Sequence, residues 1–188
     1  MEVNKADIKL VIGLGNPGEE YENTCHNSGA LFVGYLAKNS GLKWQTAKNF
    51  QYAKFGGKII ARANVFMNES GKAVAEATKY FSSKGGKIKP DQILIAHDDS
   101  DIELGKYKLQ FNRSSAGHKG VGSIIKALKT QKFWRLRIGI GTLKTGLLAK
   151  LRGRKKAGDL VLKKISNEDR KKLNDVFEKT SKEVFTKP

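Results

Sequence analysis

The chain has 188 residues, 39% hydrophobic and 29% charged, with 36 Lys+Arg against 18 Asp+Glu for a formal charge of +18. That balance excludes a disordered tail and fits one domain, residues 1–188, large enough to bury a core without disulfide or metal staples. No apolar run of about 18 residues is present to cross a membrane, the N-terminal stretch lacks a signal-peptide core, and the lone Cys25 allows no intrachain disulfide, so a reducing cytoplasm is expected.

In chain order, Ile8–Gly15 reads as a buried strand bounded by Gly-Asn-Pro-Gly turn chemistry. Asn27 or Ser28 can cap a helix through Leu31, Val33 and Leu36 that closes at Gly41. Strand-like stretches follow around Tyr52–Phe55 and Lys58–Asn64, then a helix from Ser70 to Phe81 stopped by Gly85-Gly86. Gln92–Ala96 reads as a buried strand, and Tyr107–Phe111 alternates like a strand with one wet face. Lys119–Leu128 has helical spacing and Phe133–Gly141 reads as a strand. Residues 142–158 form a basic stretch with the character of a loop or lid, and a last helix starts at Ser166 and runs to about 185. Strands alternating with helices predict an α/β fold: a single-domain three-layer sandwich whose mixed, mostly parallel twisted sheet is flanked by helices.

The charge is uneven. Residues 1–100 carry 13 basic and 10 acidic side chains, whereas 101–188 carry 23 and 8. Such a lysine-rich half reads either as a solvated surface or as a polyanion-binding face. Self-repulsion favours the second, with nucleic acid as the expected partner. A membrane surface fits less well, because the basic stretch lacks a long amphipathic helix with an aromatic face.

Gly13-Leu14-Gly15-Asn16-Pro17-Gly18 matches G-x-G-x-x-G, but its context is wrong for a dinucleotide. The loop does not open into a helix, acids crowd it at Glu19, Glu20 and Glu22, and no acid follows until Glu69. P-loop, G-x-S-x-G and H-E-x-x-H patterns are missing, and without a C-x-x-C pair a structural zinc site is not expected. What remains are polar residues near strand ends. Asn16 ends the first strand, His97-Asp98-Asp99-Ser100-Asp101 ends the strand over Gln92–Ala96, and His26 precedes the first helix. A His beside an Asp makes a general base, the carboxylate fixing the tautomer and stabilising the cation. Spacing alone leaves His26 equally readable as a hydrogen-bonding residue at the helix entry. The Asp run is a metal site or a solvated turn. Asn68 is a helix-start residue or an amide that polarises a carbonyl. Ser114–Gly120 leads into a helix N-terminus whose N–H groups, with Arg113 and Lys119, suit a phosphate. His118 reads as structural, and Trp44 and Trp134 as core or rim.

Taken together, Gly13–Gly18, Tyr21, His26-Asn27-Ser28-Gly29, Phe66-Met67-Asn68 with Ser70-Gly71-Lys72, His97-Asp98-Asp99-x-Asp101, Gly117-His118-x-Gly120 and Arg135–Gly141 stand in the order seen in bacterial-type peptidyl-tRNA hydrolases, and the chain resembles that family from about Lys9 to Gly141. The resemblance implies a cytoplasmic monomer that cleaves the ester between a peptide and the 3′ ribose of tRNA. It implies His26 as the base that activates water, Asp98 as its orienter, and Asn16 and Asn68 as holders of the peptide carbonyl or the water. Tyr21 and Phe66 would line the site near the 3′ end, and Lys119 would meet substrate. No metal or organic cofactor is implied, and the partner is the acceptor end of tRNA, with neither DNA nor membrane. Two positions depart from the family pattern: Cys25 where Arg is usual and Lys119 where Asn is usual. Lysine can meet a phosphate but cannot accept a hydrogen bond. The loop Asn112–Ala116 is also bulkier than the usual glycine-rich stretch. An RNA-binding protein that has lost hydrolysis is the alternative; the joint presence of Asn16, His26, Asn68 and Asp98 favours the enzyme.

Overall fold

A seven-stranded sheet organises the chain in the order β2-β3-β4-β1-β5-β7-β6. The computed structural model describes residues 4–141 and 161–185, so the basic stretch 142–158 lies outside the described residues. The strands are β1 (Leu10–Gly13), β2 (Gln45–Thr46), β3 (Phe50–Phe55), β4 (Lys58–Ala63), β5 (Ile93–Glu103), β6 (Tyr107–Phe111) and β7 (Trp134–Gly141). The central four, β4, β1, β5 and β7, are mutually parallel, while β3 and β6 pair antiparallel to their neighbours. The mixed, mostly parallel sheet is therefore present as expected.

Helices α1 (Ser28–Asn39), α2 (Ser70–Gly85), α3 (Lys119–Leu128) and α4 (Asn167–Phe185) complete the described elements. Alternation along each strand sorts the apolar side chains to two faces. Leu10, Ile12, Ile93 and Ile95 pack against Ala73, Val74 and Ala77 of α2 and Val121 and Ile124 of α3. Val11, Leu94, Ala96 and Leu136 pack against Phe32, Val33 and Leu36 of α1 and Leu173, Val176 and Phe177 of α4. Each fully buried Val, Leu, Ile or Phe among them contributes roughly 1.5–3 kcal/mol. Three layers result, and the parallel core of the sheet is buried on both faces, as continuous apolar runs require.

One boundary differs in a way that matters for the site. The sequence ends the strand at Ala96, yet β5 continues through His97, Asp98 and Asp99 to Glu103. His97, Asp98 and Asp99 stand opposite Arg137, Ile138 and Gly139 of β7. Charge is tolerated there because each carboxylate has partners: Asp99 takes Arg137 Nε at 2.7 Å, and Asp98 takes two histidines. The acids thus stand in a paired strand rather than in a solvated turn, and of Asp98, Asp99 and Asp101 only Asp101 is exposed.

Candidate active site

The glycine loop brings backbones together. A Cβ on Gly13 would stand 2.2 Å from Gly29 O, and one on Gly29 would stand 2.1 Å from Ala96 O. With no side chain at either position, the start of α1 rests on the end of β1 and on Ala96 within β5. Leu14 N–H donates to Ala96 O at 2.9 Å and Ala30 N–H donates to Leu14 O at 2.8 Å. The G-x-G pattern therefore serves helix-on-strand packing and delivers the 3-10 turn Cys25–Asn27 to the middle of β5, just beyond the end of β1.

His26 and Asp98 meet there, Nδ1 lying 2.8 Å from Oδ1. His118 Nε2 reaches the same oxygen at 3.0 Å. Asp98 is buried, and the two imidazoles are nearly so. The network settles the protons. His118 is the N-cap of α3, its Nδ1 accepting Val121 N–H at 3.3 Å, so the proton of that ring sits on Nε2 and is donated to Asp98. Burial alone would raise the Asp98 carboxyl, but the electrostatic attraction and hydrogen bonds of His118 and His26 outweigh it and hold the group well below the usual carboxylate range. A carboxylate accepts, so His26 donates from Nδ1, and in the neutral ring the lone pair then lies on Nε2. Ligand atoms of His26, Asp98 and His118 lie within 4.8 Å of one another, a spacing that could hold an ion. The same atoms are paired with one another in the two histidine–carboxylate hydrogen bonds.

His97, the neighbour of Asp98, turns to the other face. Its Nδ1–H donates to Asp98 O at 2.7 Å, and its ring stands edge-on to His118 with centroids 4.6 Å apart. Burial first, then the electrostatic cost of a second cation beside His118, pushes this imidazole well below its ordinary value.

Asn16 is half-buried, and its Oδ1 accepts Met67 N–H at 2.8 Å. That bond draws the 3-10 turn Met67–Glu69 to the loop after β1. Phe66, just before this turn, is 51% exposed and meets Tyr21 edge to face at 6.4 Å between centroids. Asn68 is exposed in the turn, and Lys119 is exposed at the first residue of α3, directly after His118. Tyr21, Phe66 and Asn16 are thus brought together around one turn, and His26 with Asp98 around another.

Three partners were missed by sequence reasoning. His118, read as structural, binds Asp98. Asn27 binds the Asn16 backbone instead of capping α1. Residues 163–165 pair with the loop before His26: Cys25 N–H donates to Lys163 O at 3.0 Å, Ile165 N–H donates to Asn23 O at 2.8 Å, and Lys164 Nζ donates to Glu20 O. Arg170 of α4 adds a bond to Asn23 Oδ1 at 2.6 Å. The Gly-His-x-Gly motif hinted at the first; the other two left no signal in the sequence.

Exposed cations are spread over this part of the chain: Lys106 just before the edge strand β6, Lys108 on it, Arg113 in the loop after it, Lys126 on α3 and Lys132 between α3 and β7. Beneath them Arg135 is buried, donating to Ser114 O at 2.8 Å, its guanidinium pushed down to about 10 by burial and by the charge of Arg137.

An α/β sandwich with a histidine–carboxylate pair at the carboxyl ends of its parallel strands is the architecture of a hydrolytic or transfer enzyme rather than of a dinucleotide-binding domain. A model of the peptidyl-tRNA hydrolase family matches residues 10–186, and the chain belongs to that family. It is 46% identical over 140 residues to the peptidyl-tRNA hydrolase of Aquifex aeolicus, a match spanning 72% of this chain and 70% of that one. With the Cupriavidus metallidurans peptidyl-tRNA hydrolase it shares 34% identity over 178 residues, covering 92% of this chain and 87% of the relative. The crystal structure of the Acinetobacter baumannii peptidyl-tRNA hydrolase superposes with a TM-score of 0.81 at 29% identity, covering 95% of this chain and 87% of that one. Among the described residues no helix is long and apolar enough to cross a membrane.

Proposed function

We propose that this chain hydrolyses the ester joining a peptidyl or N-blocked aminoacyl group to the 3′ ribose of tRNA. The observation that carries the reading is the 2.8 Å contact of His26 with an ionised, buried Asp98. His26 Nε2 removes a proton from water, and the resulting hydroxide attacks the ester carbonyl. Asp98 holds the ring tautomer and offsets the imidazolium charge. The Asn16 amide N–H, and the Asn68 amide from the turn that Asn16 binds through Met67 N–H, stabilise the tetrahedral oxyanion or hold the peptide carbonyl. As the intermediate collapses, His26 returns the proton to the departing 3′ oxygen. An ester is reactive enough for a positioned base and an amide-lined pocket to suffice without a covalent nucleophile. Tyr21 and Phe66 offer aromatic surface to the terminal nucleotide, and Lys119 offers a cation to a phosphate.

The exposed lysines of β6 and α3 support tRNA as the partner through phosphate contacts. The lone, buried Cys25 fits a reducing cytoplasm. We take the chain to act as one unit and as a monomer. The test is hydrolysis of N-acetyl-aminoacyl-tRNA by wild type and His26→Ala, with and without chelator. Turnover by wild type, a loss of about a hundredfold or more in the variant, and indifference to chelator are expected. Equal rates for the two proteins would falsify the role of His26. Tight tRNA binding without any turnover would make the chain a binder instead.

A further inference from the structure

We infer that Asn27 is a positioning residue: by gripping the backbone of Asn16 it fixes the Asn16 amide relative to His26, and so sets the preference for N-blocked over free aminoacyl esters. This rests on the hydrolase reading above and extends it to a residue outside the reacting groups.

Asn27 stands at the N-cap position of α1, yet its side chain makes no capping bond. Instead it reaches back eleven residues, Oδ1 accepting Asn16 N–H at 2.8 Å and Nδ2 donating to Asn16 O at 2.9 Å. The side chain is buried, the residue being 5% exposed. A two-point grip fixes both the place and the rotation of a peptide group. Asn16 needs such a grip because no regular element holds it: β1 ends at Gly13, and Pro17 follows with no N–H to give.

With the backbone so held, a second contact decides which end of the Asn16 amide is offered. Its Oδ1 is committed to Met67 N–H at 2.8 Å, so Nδ2 is the end left for substrate. An N–H donor suits the carbonyl of an N-blocked aminoacyl group and disfavours the ammonium of a free one, since both would present hydrogens. Were the Asn16 backbone loose, its amide could turn and present Oδ1, an acceptor that welcomes an ammonium. Because Asn27 follows His26 in one 3-10 turn, base and donor share a single mount.

The test compares kcat/KM on N-acetyl-aminoacyl-tRNA and on free aminoacyl-tRNA for wild type, Asn27→Ala and Asn27→Asp. The Asp variant keeps the volume and the acceptor for Asn16 N–H but sets a carboxylate oxygen against Asn16 O, so it reads the grip even if the Ala variant folds poorly. Both variants are expected to lose about tenfold or more on the blocked ester and less on the free one, so that the ratio falls. The pH–rate profile should keep its wild-type shape, because His26 and Asp98 are untouched. A purely structural role would lower both rates together and leave the ratio intact, and that result overturns the inference. Wild type inert on both esters sinks the hydrolase reading itself; an active wild type with an unchanged ratio in the variants sinks only Asn27.

Discussion

His118 Nε2 lies 3.0 Å from Asp98 Oδ1, the oxygen that His26 Nδ1 reaches at 2.8 Å. One carboxylate oxygen thus serves two imidazoles, and the second is anchored by its own helix through Val121 N–H. His118 therefore holds Asp98 in place for His26. His118→Asn separates its two duties, since Asn is a good N-cap but too short to replace Nε2. The thermal midpoint should move by only a few degrees, while kcat/KM falls about tenfold or more, the size of one hydrogen bond to a charged group. His118→Ala should in addition lose about 1 kcal/mol of stability. Full activity in the Asn variant would mean that Asp98 needs no second donor.

His97 links stability to pH. Its folded-state value lies well below the ordinary value, so between the two the unfolded chain binds a proton that the folded chain refuses. The contribution of the neutral ring is fully present above about pH 6.5 and is lost as pH falls from there toward the depressed folded value, at about 1.4 kcal/mol per unit. Asp98 acts in the same direction at lower pH, below the ordinary carboxylate value of about 3.9. Urea melts of wild type and His97→Gln at pH 7 and pH 5 measure the first effect. The wild type should lose more stability than the variant on acidification; parallel losses would remove His97 as the cause.

Gly29 is where α1 touches the sheet, and a Cβ there would fall 2.1 Å from Ala96 O and 2.7 Å from Leu14 N. Those are backbone atoms and cannot swing aside. Gly29→Ala should cost about 3 kcal/mol as overpacking and push His26 away from Asp98. Activity should fall further than in a mutant of comparable instability elsewhere, for example Leu173→Ala on the buried face of α4, which removes about 2–5 kcal/mol. Comparable activity in two equally destabilised proteins would break the link between this contact and the base.

Salt dependence probes the basic surface. If Arg113 and Lys119 each meet a phosphate, Arg113→Gln and Lys119→Asn should each weaken tRNA binding and each flatten the log–log salt slope by about 1. Lys119→Asn also restores the side chain usual in the family, so its rate at saturating substrate reports what the departure does to chemistry. An unchanged slope in both variants would place the RNA face elsewhere.

Periodic amphipathic segments were legible in the sequence. The predicted α3, over Lys119–Leu128, has the observed bounds, because Val121 and Ile124 recur at helical spacing after a loop. Strand β6 was equally clear from its alternation. The two-residue β2 was missed, being too short to carry a period. The tail of β5 was misplaced because His-Asp-Asp-Ser-Asp has turn composition. What overrides it is tertiary: Arg137 across the ladder and the histidines from two other segments neutralise the acids. For the same reason His26 and Asp98 were paired in the sequence by resemblance and not by spacing. Asn27 was read as a helix cap from its position, since propensity speaks only of neighbours and not of a residue eleven places upstream that comes to lie against it.

The pairing of residues 163–165 with the loop before His26 has a consequence for the order in which competence arises. Glu20 and Lys164 are 144 positions apart, and His26 and Asp98 are 72 apart. Contacts of such separation are the slow ones to close, because long stretches of chain must be ordered first. A half-folded chain carries the imidazole without its carboxylate and without the strap that holds its loop. Hydrolytic power is therefore latent until the last long-range contacts form, and turnover itself becomes a gauge of finished folding.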